Sequence, residues 1–242
     1  MAETGVTARS LLVIPAYNEA GGIRKVLDRI AEAGFAGEIV VIDDGSADGT
    51  AEIARSAGVT VLRHPFNMGY GAALQTGYKY AIGRGAELLV QMDADGQHDP
   101  REIQLLVEPI AAGELDLVVG SRFLEETGYR MQPIRRIGRL VFRSIVRLAG
   151  LRVSDPTSGF QAMNGRVLAV YSRDFFPTDY PDVDVLLIAY RQGLRVGERS
   201  VHMTHAERES TLHGGLRSVY YVYKMLLAIW SASRSTGAAR TP

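Results

Sequence analysis

A chain of 242 residues, 46% apolar and 22% charged, can bury one sizeable core, as a single large domain or two intimate halves. Its formal net charge is zero, so no global field directs it to nucleic acid, and with no cysteine it has neither disulfides nor thiolate metal sites. The basic residues are lopsided, 24 Arg against 3 Lys, a bias that suits forked donors toward phosphate and that codon usage in a GC-rich genome would also produce.

The first half alternates strand and helix. Residues 11–14 are a short apolar run stopped by Pro15. Asn18 is placed to cap a helix in which Ile23, Val26, Leu27 and Ile30 fall on one face, and Gly34 ends it. Residues 38–42 make the next strand, which ends at Asp43-Asp44-Gly45-Ser46. A short helix over 50–57 and a third strand over 59–63 follow. Gly69 opens a helix to residue 82, with Leu74, Tyr78 and Ala81 on one face. Residues 88–92 are the fourth strand and run directly into Asp93-Ala94-Asp95. Pro100 opens a helix with Ile103, Leu106, Val107 and Ile110 toward the core, and residues 115–119 are the fifth strand. This alternation predicts an α/β fold, a mostly parallel sheet with helices on both faces. In such sheets ligands bind beyond the carboxyl ends of the strands. Three polar clusters lie there: Tyr17-Asn18-Glu19, Asp43-Asp44-Gly45-Ser46 and Asp93-Ala94-Asp95.

The second half is less regular. Residues 127–154 hold seven Arg and no acid. Within them Ile137, Leu140, Val141, Ser144, Ile145 and Leu148 form one helical stripe, and Arg139, Arg143 and Arg147 another. The stripe reads either as the packed side of a solvated helix or as a face for an anionic membrane surface. A loop over 154–160, a helix over 182–192 and a strand over 196–203 come next. A last helix over about 215–231 carries Leu216, Val219, Tyr220, Tyr223, Leu227 and Trp230 on one face. It fits a membrane surface, a partner helix or the chain's own core. The apolar run 219–230 is too short to span a bilayer, which needs about 20 residues. The N-terminal residues carry no signal-peptide pattern.

Two carboxylates one residue apart at a strand's end read either as a polar turn or as hard oxygen ligands for Mg²⁺ or Mn²⁺ on a diphosphate. Gln97 offers a third oxygen. The acids at two other strand ends and the downstream Arg set argue against the turn. Asn67-Met68-Gly69-Tyr70-Gly71 opens a helix after a strand, where glycines let backbone N–H groups approach an anion.

Together these residues resemble the family 2 glycosyltransferases of GT-A fold, and among them the dolichyl- and polyprenyl-phosphate sugar transferases. The carrying segments are Ile14-Pro15-Ala16-Tyr17-Asn18-Glu19, Asp43-Asp44-Gly45-Ser46 and Asn67-Met68-Gly69-Tyr70-Gly71. Asp93-Ala94-Asp95-Gly96-Gln97-His98, Gly120-Ser121-Arg122 and Asp155-Pro156-Thr157-Ser158-Gly159-Phe160 complete the set. The resemblance implies a nucleotide-sugar half over 11–122, an acceptor half over 123–210, and an amphipathic helix with a polar tail over 211–242. It implies that Pro15, Tyr17 and Glu19 contact base or ribose and that Asp44 or Asp43 reads the base edge. Asn67, Gly69, Gly71, Asp93 and Ala94 complete the implied donor site. It assigns the divalent ion, Mg²⁺ or Mn²⁺, to Asp93, Asp95 and Gln97. Ser121, Arg122, Arg135 and Arg136 would grip an acceptor phosphate, and Asp155 would stand at the sugar–acceptor junction.

The implied activity is inverting transfer from a UDP- or GDP-sugar to polyprenyl phosphate at the inner, cytoplasmic membrane face. A chain without a spanning helix would be peripheral there, or would use a small membrane-protein partner or a homo-oligomer. A glycan or glycolipid hydroxyl as acceptor, and a non-catalytic nucleotide-sugar binding subunit, are the alternatives. One departure is the stretch after residue 203, His205-Ala206-Glu207-Arg208-Glu209-Ser210-Thr211, which lacks the family's Gly.

Overall fold

The computed structural model describes residues 6, 9–124, 133–179 and 181–203, with 133–139 and 141 by backbone alone. Its strands are β1 (Ser10–Ala16), β2 (Glu38–Asp43), β3 (Thr60–Arg63), β4 (Leu88–Gln91), β5 (Leu117–Ser121), β6 (Gln161–Asn164) and β7 (Val196–Ser200). Its helices are α1 (Ile23–Glu32), α2 (Thr50–Ser56), α3 (Tyr70–Gly83), α4 (Ile103–Ala111), α5 (Pro133–Leu148), α6 (Gly165–Tyr171) and α7 (Val183–Arg191).

All seven strands join one sheet in the order β3-β2-β1-β4-β6-β5-β7. β3, β2, β1 and β4 are mutually parallel, as the strand–helix alternation predicts. Alternate residues of β1 feed opposite faces: Leu11 and Val13 pack with α3, α5, α6 and α7, while Leu12 and Ile14 pack with α1, α2 and α4. Helices therefore cover both faces of the sheet.

One strand was not foreseen and two expectations need correction. β6 runs antiparallel between β4 and β5, within a sheet that is otherwise parallel. Its four residues, Gln161-Ala162-Met163-Asn164, contain no β-branched side chain and too few positions for a period to register. The first strand does not stop at Pro15 but continues to Ala16. Pairing with β4 ends at Val13, so the missing N–H of Pro15 falls on a side where no ladder bond is required. Among the described side chains of α5, Phe142 and Val146 are buried and Ile145 packs partly buried on the same core, whereas Leu140 is 47% and Leu148 90% exposed. The expected apolar stripe is thus offset from the packed face, because α5 turns Phe142 and Val146 toward the α7 side of the core.

Far from the strand ends discussed below, Asp116 ties β5, β6 and β7 together. Its buried carboxylate accepts from Asn164 Nδ2 at 2.9 Å, Arg166 Nη1 at 3.2 Å, and Arg195 N, Nε and Nη2 at 2.8, 3.1 and 3.1 Å. Hydrogen bonds from Arg195, foremost, hold this carboxyl well below the usual carboxylate range. A depressed folded-state pKa adds stability above the unfolded value near pH 4, lost as pH falls through the folded one. Asp116→Ala is expected to cost about 2–4 kcal/mol at pH 7, reduced from a fully buried pair because the arginines are half exposed. Urea titration checks this, and the gap to the parent should shrink below about pH 4. Asp184 acts in the opposite sense. Burial raises its carboxyl to about 6, so its cost to the fold appears as pH rises from about 4 toward 6.

Candidate active site

The loops after β1 and β2 are locked together by side chains that cap one another's backbone. Asn18 N donates to Ser46 Oγ at 2.9 Å, and Ala47 N donates back to Asn18 Oδ1 at 3.0 Å. Glu19 N donates to Thr50 Oγ1 at 2.8 Å and Ala20 N to Asp48 Oδ2 at 3.0 Å. Asn18 takes the left-handed conformation, φ 56°, so it ends the strand rather than capping α1, whose N-cap is Gly22. The result is a fixed wall at the sheet edge. Pro15 is buried beneath it, and the Tyr17 ring stands 49% exposed on it. Asp48, which organises this wall, belongs to the same family-like segment as Asp43 and Asp44, though its capping role shows only in the fold.

The two acids after β2 have different tasks. Asp44 accepts from Met68 N at 2.8 Å, Gly69 N at 2.9 Å and His64 Nδ1 at 2.7 Å. The anion received by the amides before α3 is therefore Asp44 itself. Of the expected donor-site amides, that of Gly69 is used within the chain. The glycines serve close packing: a Cβ on either Gly69 or Gly71 would collide with the backbone of Pro177 or Thr178. Both oxygens of Asp44, the expected base reader, accept hydrogen bonds from within the chain. Asp43 Oδ1 accepts from Ser46 N at 3.3 Å. Its Oδ2 is buried, lies 3.1 Å from Arg63 Nε in an ion pair and accepts no hydrogen bond.

The Asp93–Gln97 loop follows β4. Asp93 Oδ1 accepts from the Tyr70 hydroxyl at 2.7 Å, and Asp93 N donates to His98 Nδ1 at 3.2 Å. That bond places the remaining ring proton on Nε2, 3.8 Å from Asp93 Oδ2. The His98 ring stacks on Phe160 at 4.9 Å, and so belongs to the loop's support. Asp95 accepts from Gln97 N at 3.0 Å and from the Gln97 side-chain amide. Burial, aided by Asp95, pushes the Asp93 carboxyl up; His98, Tyr70 and Arg122 draw it down. Two carboxylates that disfavour each other's charge on one short loop suit a hard cation. Among the described residues no three His, Cys, Asp or Glu side chains converge as a metal cage. An Mg²⁺ or Mn²⁺ site completed by diphosphate oxygens and water needs fewer protein ligands than that.

Gly159 lies directly against the Asp93 carboxylate, and a Cβ there would collide with Oδ2. The loop between α5 and β6 is thus pressed onto the acid loop after β4. Gly159→Ala is expected to displace Asp93 and lower kcat/KM about 10²-fold, the usual cost of a misplacement near 1 Å. Steady-state kinetics beside a thermal melt measures this.

On the same side Arg122 grips Asp155 with two parallel bonds, Nε–Oδ2 at 2.7 Å and Nη2–Oδ1 at 2.9 Å, and its backbone N adds a third at 3.3 Å. Asp155 is fully buried. Ser121, expected beside the acceptor phosphate, lies under Arg122. It is fully buried and its hydroxyl pairs with Ser154 Oγ at 2.7 Å and Phe123 N at 3.2 Å. Arg135 and Arg136 lie on the helical backbone of α5, with side chains outside the described residues. The final helix, the Arg208 stretch and residues 204–242 also lie outside them.

The glycosyl transferase family 2 profile matches residues 11–175, the stretch that contains every loop described above. The chain belongs to glycosyl transferase family 2. It is 31% identical over 216 residues to the UDP-N-acetylglucosamine–dolichyl-phosphate N-acetylglucosaminyltransferase of Methanococcus voltae, covering 81% of this chain and 86% of that one. It is 34% identical over 220 residues to the polyprenol monophosphomannose synthase of Mycolicibacterium smegmatis, covering 84% and 79%. In fold it is similar to glucosyl-3-phosphoglycerate synthase of Mycobacterium tuberculosis, solved with Mn²⁺ and UDP-glucose. The TM-score is 0.68 at 23% identity, covering 92% of this chain and 78% of that one. The fold is GT-A and the protein is a glycosyltransferase, which sets aside the non-catalytic alternative.

Of the expected family 2 site residues, the structure gathers Asp93, Asp155 and Arg122 into one cluster, with Gly159 between the first two. The sequence did not reveal Tyr70 and Gln91 as supports of this cluster, nor His64 as a support of Asp44. Each is a single polar residue in an apolar or turn segment, and only its distant partner reveals its use.

Proposed function

We propose that this glycosyltransferase moves a sugar, with inversion, from a UDP- or GDP-sugar to polyprenyl phosphate at the inner, cytoplasmic face of the membrane, and that it requires a divalent cation. The observation that carries the acceptor class is the Arg122–Asp155 pair. A hydroxyl acceptor needs a carboxylate base to take its proton. Asp155, the acid at that position, is instead fully engaged by Arg122. A phosphate monoester has a second pKa of about 6 and arrives at neutral pH as a nucleophile already. A guanidinium fixed in place is what such an acceptor calls for. The dolichyl-phosphate and polyprenol specificities in the names of the relatives point the same way.

In this reading an acceptor phosphate oxygen attacks the anomeric carbon from the face opposite the nucleotide. The bond from that carbon to the diphosphate oxygen breaks, and the nucleoside diphosphate departs. The Tyr17 wall and Asp43 hold the nucleoside, Glu19 and Ala94 border it, and Arg122 orients the acceptor beside Arg135 or Arg136. Asp93, Asp95 and Gln97 would hold the ion. It would supply Lewis-acid neutralisation of charge on the leaving diphosphate.

No helix among the described residues is long and apolar enough to cross a membrane. The exposed edge of α5, with Leu140 and Leu148 beside Arg143 and Arg147, supports contact with an anionic lipid surface. A transfer assay with UDP- and GDP-sugars and a short polyprenyl phosphate, with and without EDTA, tests the proposal. Metal-dependent lipid-linked product is expected. Transfer only to glycan or glycolipid hydroxyls would overturn the acceptor assignment.

A further inference from the structure

A line of hydrogen bonds runs from the core to the acid loop. The Tyr78 hydroxyl donates to Gln91 Oε1 at 2.6 Å, Gln91 Nε2 donates to the Tyr70 hydroxyl at 3.3 Å, and Tyr70 donates to Asp93 Oδ1 at 2.7 Å. Every direction in this line is set by chemistry. An amide N–H can only donate, so Gln91 occupies a lone pair of Tyr70 and leaves its proton to Asp93. Tyr78 is almost wholly buried, edge-on to Phe176 at 5.4 Å and tilted on Tyr171 at 5.9 Å, so the far end of the line cannot shift.

Asp93 is thereby held with Oδ1 committed to Tyr70. Its Oδ2 faces the side-chain-free surface of Gly159, where no Cβ fits. Oδ2 also lies 3.8 Å from His98 Nε2, so the carboxylate is held on both sides and only Oδ1 receives a hydroxyl proton. We infer that Tyr70 is a positioning residue for the divalent ion: its hydroxyl selects which Asp93 oxygen serves as ligand. The inference depends on the proposed assignment of the ion to Asp93, Asp95 and Gln97. Hydrogen bonds of this kind behind a ligating carboxylate typically change metal affinity 10–100-fold when removed.

The test is Mn²⁺ titration of the full chain, followed by the electron paramagnetic resonance signal of free ion, with UDP and with GDP. Parent, Tyr70→Phe, Tyr78→Phe and Asp93→Ala are compared, with nucleotide affinity in EDTA and the metal-free melting temperature measured alongside. Tyr70→Phe is expected to weaken Mn²⁺ binding about tenfold, with nucleotide affinity in EDTA unchanged. A merely structural tyrosine would lower the melting temperature and leave Mn²⁺ affinity alone, and that result overturns the inference. If Tyr70→Phe does not fold, Tyr78→Phe decides, since it loosens only the far end of the line. Weaker Mn²⁺ binding there supports the inference and unchanged binding overturns it. If Asp93→Ala binds Mn²⁺ like the parent, the ion assignment itself fails and the inference falls with it. Loss in Asp93→Ala without any change in Tyr70→Phe rejects the role of Tyr70 alone.

Discussion

Asp95→Ala is expected to lower kcat/KM for sugar transfer about 10³-fold, equivalent to about 4 kcal/mol of lost transition-state stabilisation. The charge that develops on a departing nucleoside diphosphate has to be neutralised where it forms. In this site the acids within reach of that position are on the loop after β4, and Arg122 is already committed to Asp155. Removing Asp95 takes away one of two carboxylates. It also releases Gln97, whose backbone and side-chain amides both donate to Asp95. Two of the three proposed ligands are therefore lost in one substitution. The effect should fall on kcat more than on donor binding measured in EDTA, because the ion acts most strongly once the leaving group is charged. Transfer kinetics over a Mn²⁺ series, with nucleotide binding by calorimetry, separates the two. A loss of less than tenfold at saturating metal would sink the assignment of the ion to this loop.

The second large effect concerns Asp155. Asp155→Asn is expected to destabilise the protein by about 2–4 kcal/mol, because a largely covered guanidinium loses its buried counter-charge. It should lower kcat/KM about 10²-fold by letting Arg122 drift from the acceptor position. Arg122→Gln should produce a similar kinetic loss, and the double variant should be no slower than the worse single one. Residues that act as one unit behave this way in a double-mutant cycle. Losses that multiply would show that Asp155 contributes chemistry of its own, as a base for a hydroxyl acceptor would. Residual transfer to polyprenyl phosphate by Asp155→Asn supports the orienting role, and complete loss in a folded variant counts against it.

How far the site was legible in the sequence depends on the distance over which each residue's partners act. The strands and helices of residues 11–121 could be read because their apolar periods are local, as the buried Ile23, Val26, Leu27 and Ile30 of α1 illustrate. β6 could not, since four residues without a β-branched run leave no period to detect. In α5 the period was visible but its phase was not. Two offset apolar edges were present, and only packing on the α7 side of the core selected Phe142 and Val146 over Leu140 and Leu148. The same limit applies to the acids. Asp43 and Asp44 are adjacent and chemically identical, yet His64 and the amides of residues 68 and 69 bind one, while the other pairs with Arg63.

By itself, then, the sequence determined that three polar clusters would meet at the carboxyl edge of a parallel sheet. A strand's direction and a two-residue period settle where its last side chains arrive. It also determined the family, because the order and spacing of the motifs survive in one dimension. Only the tertiary structure decided which oxygens remain available to a ligand. Ser121 is sealed beneath the site, Asp155 is spent on Arg122, and Asp93 is divided between Tyr70 and the space beside Gly159. A carboxylate's role follows from what already donates to it. Those donors come from 20 to 33 residues away along the chain, a separation that no local pattern encodes.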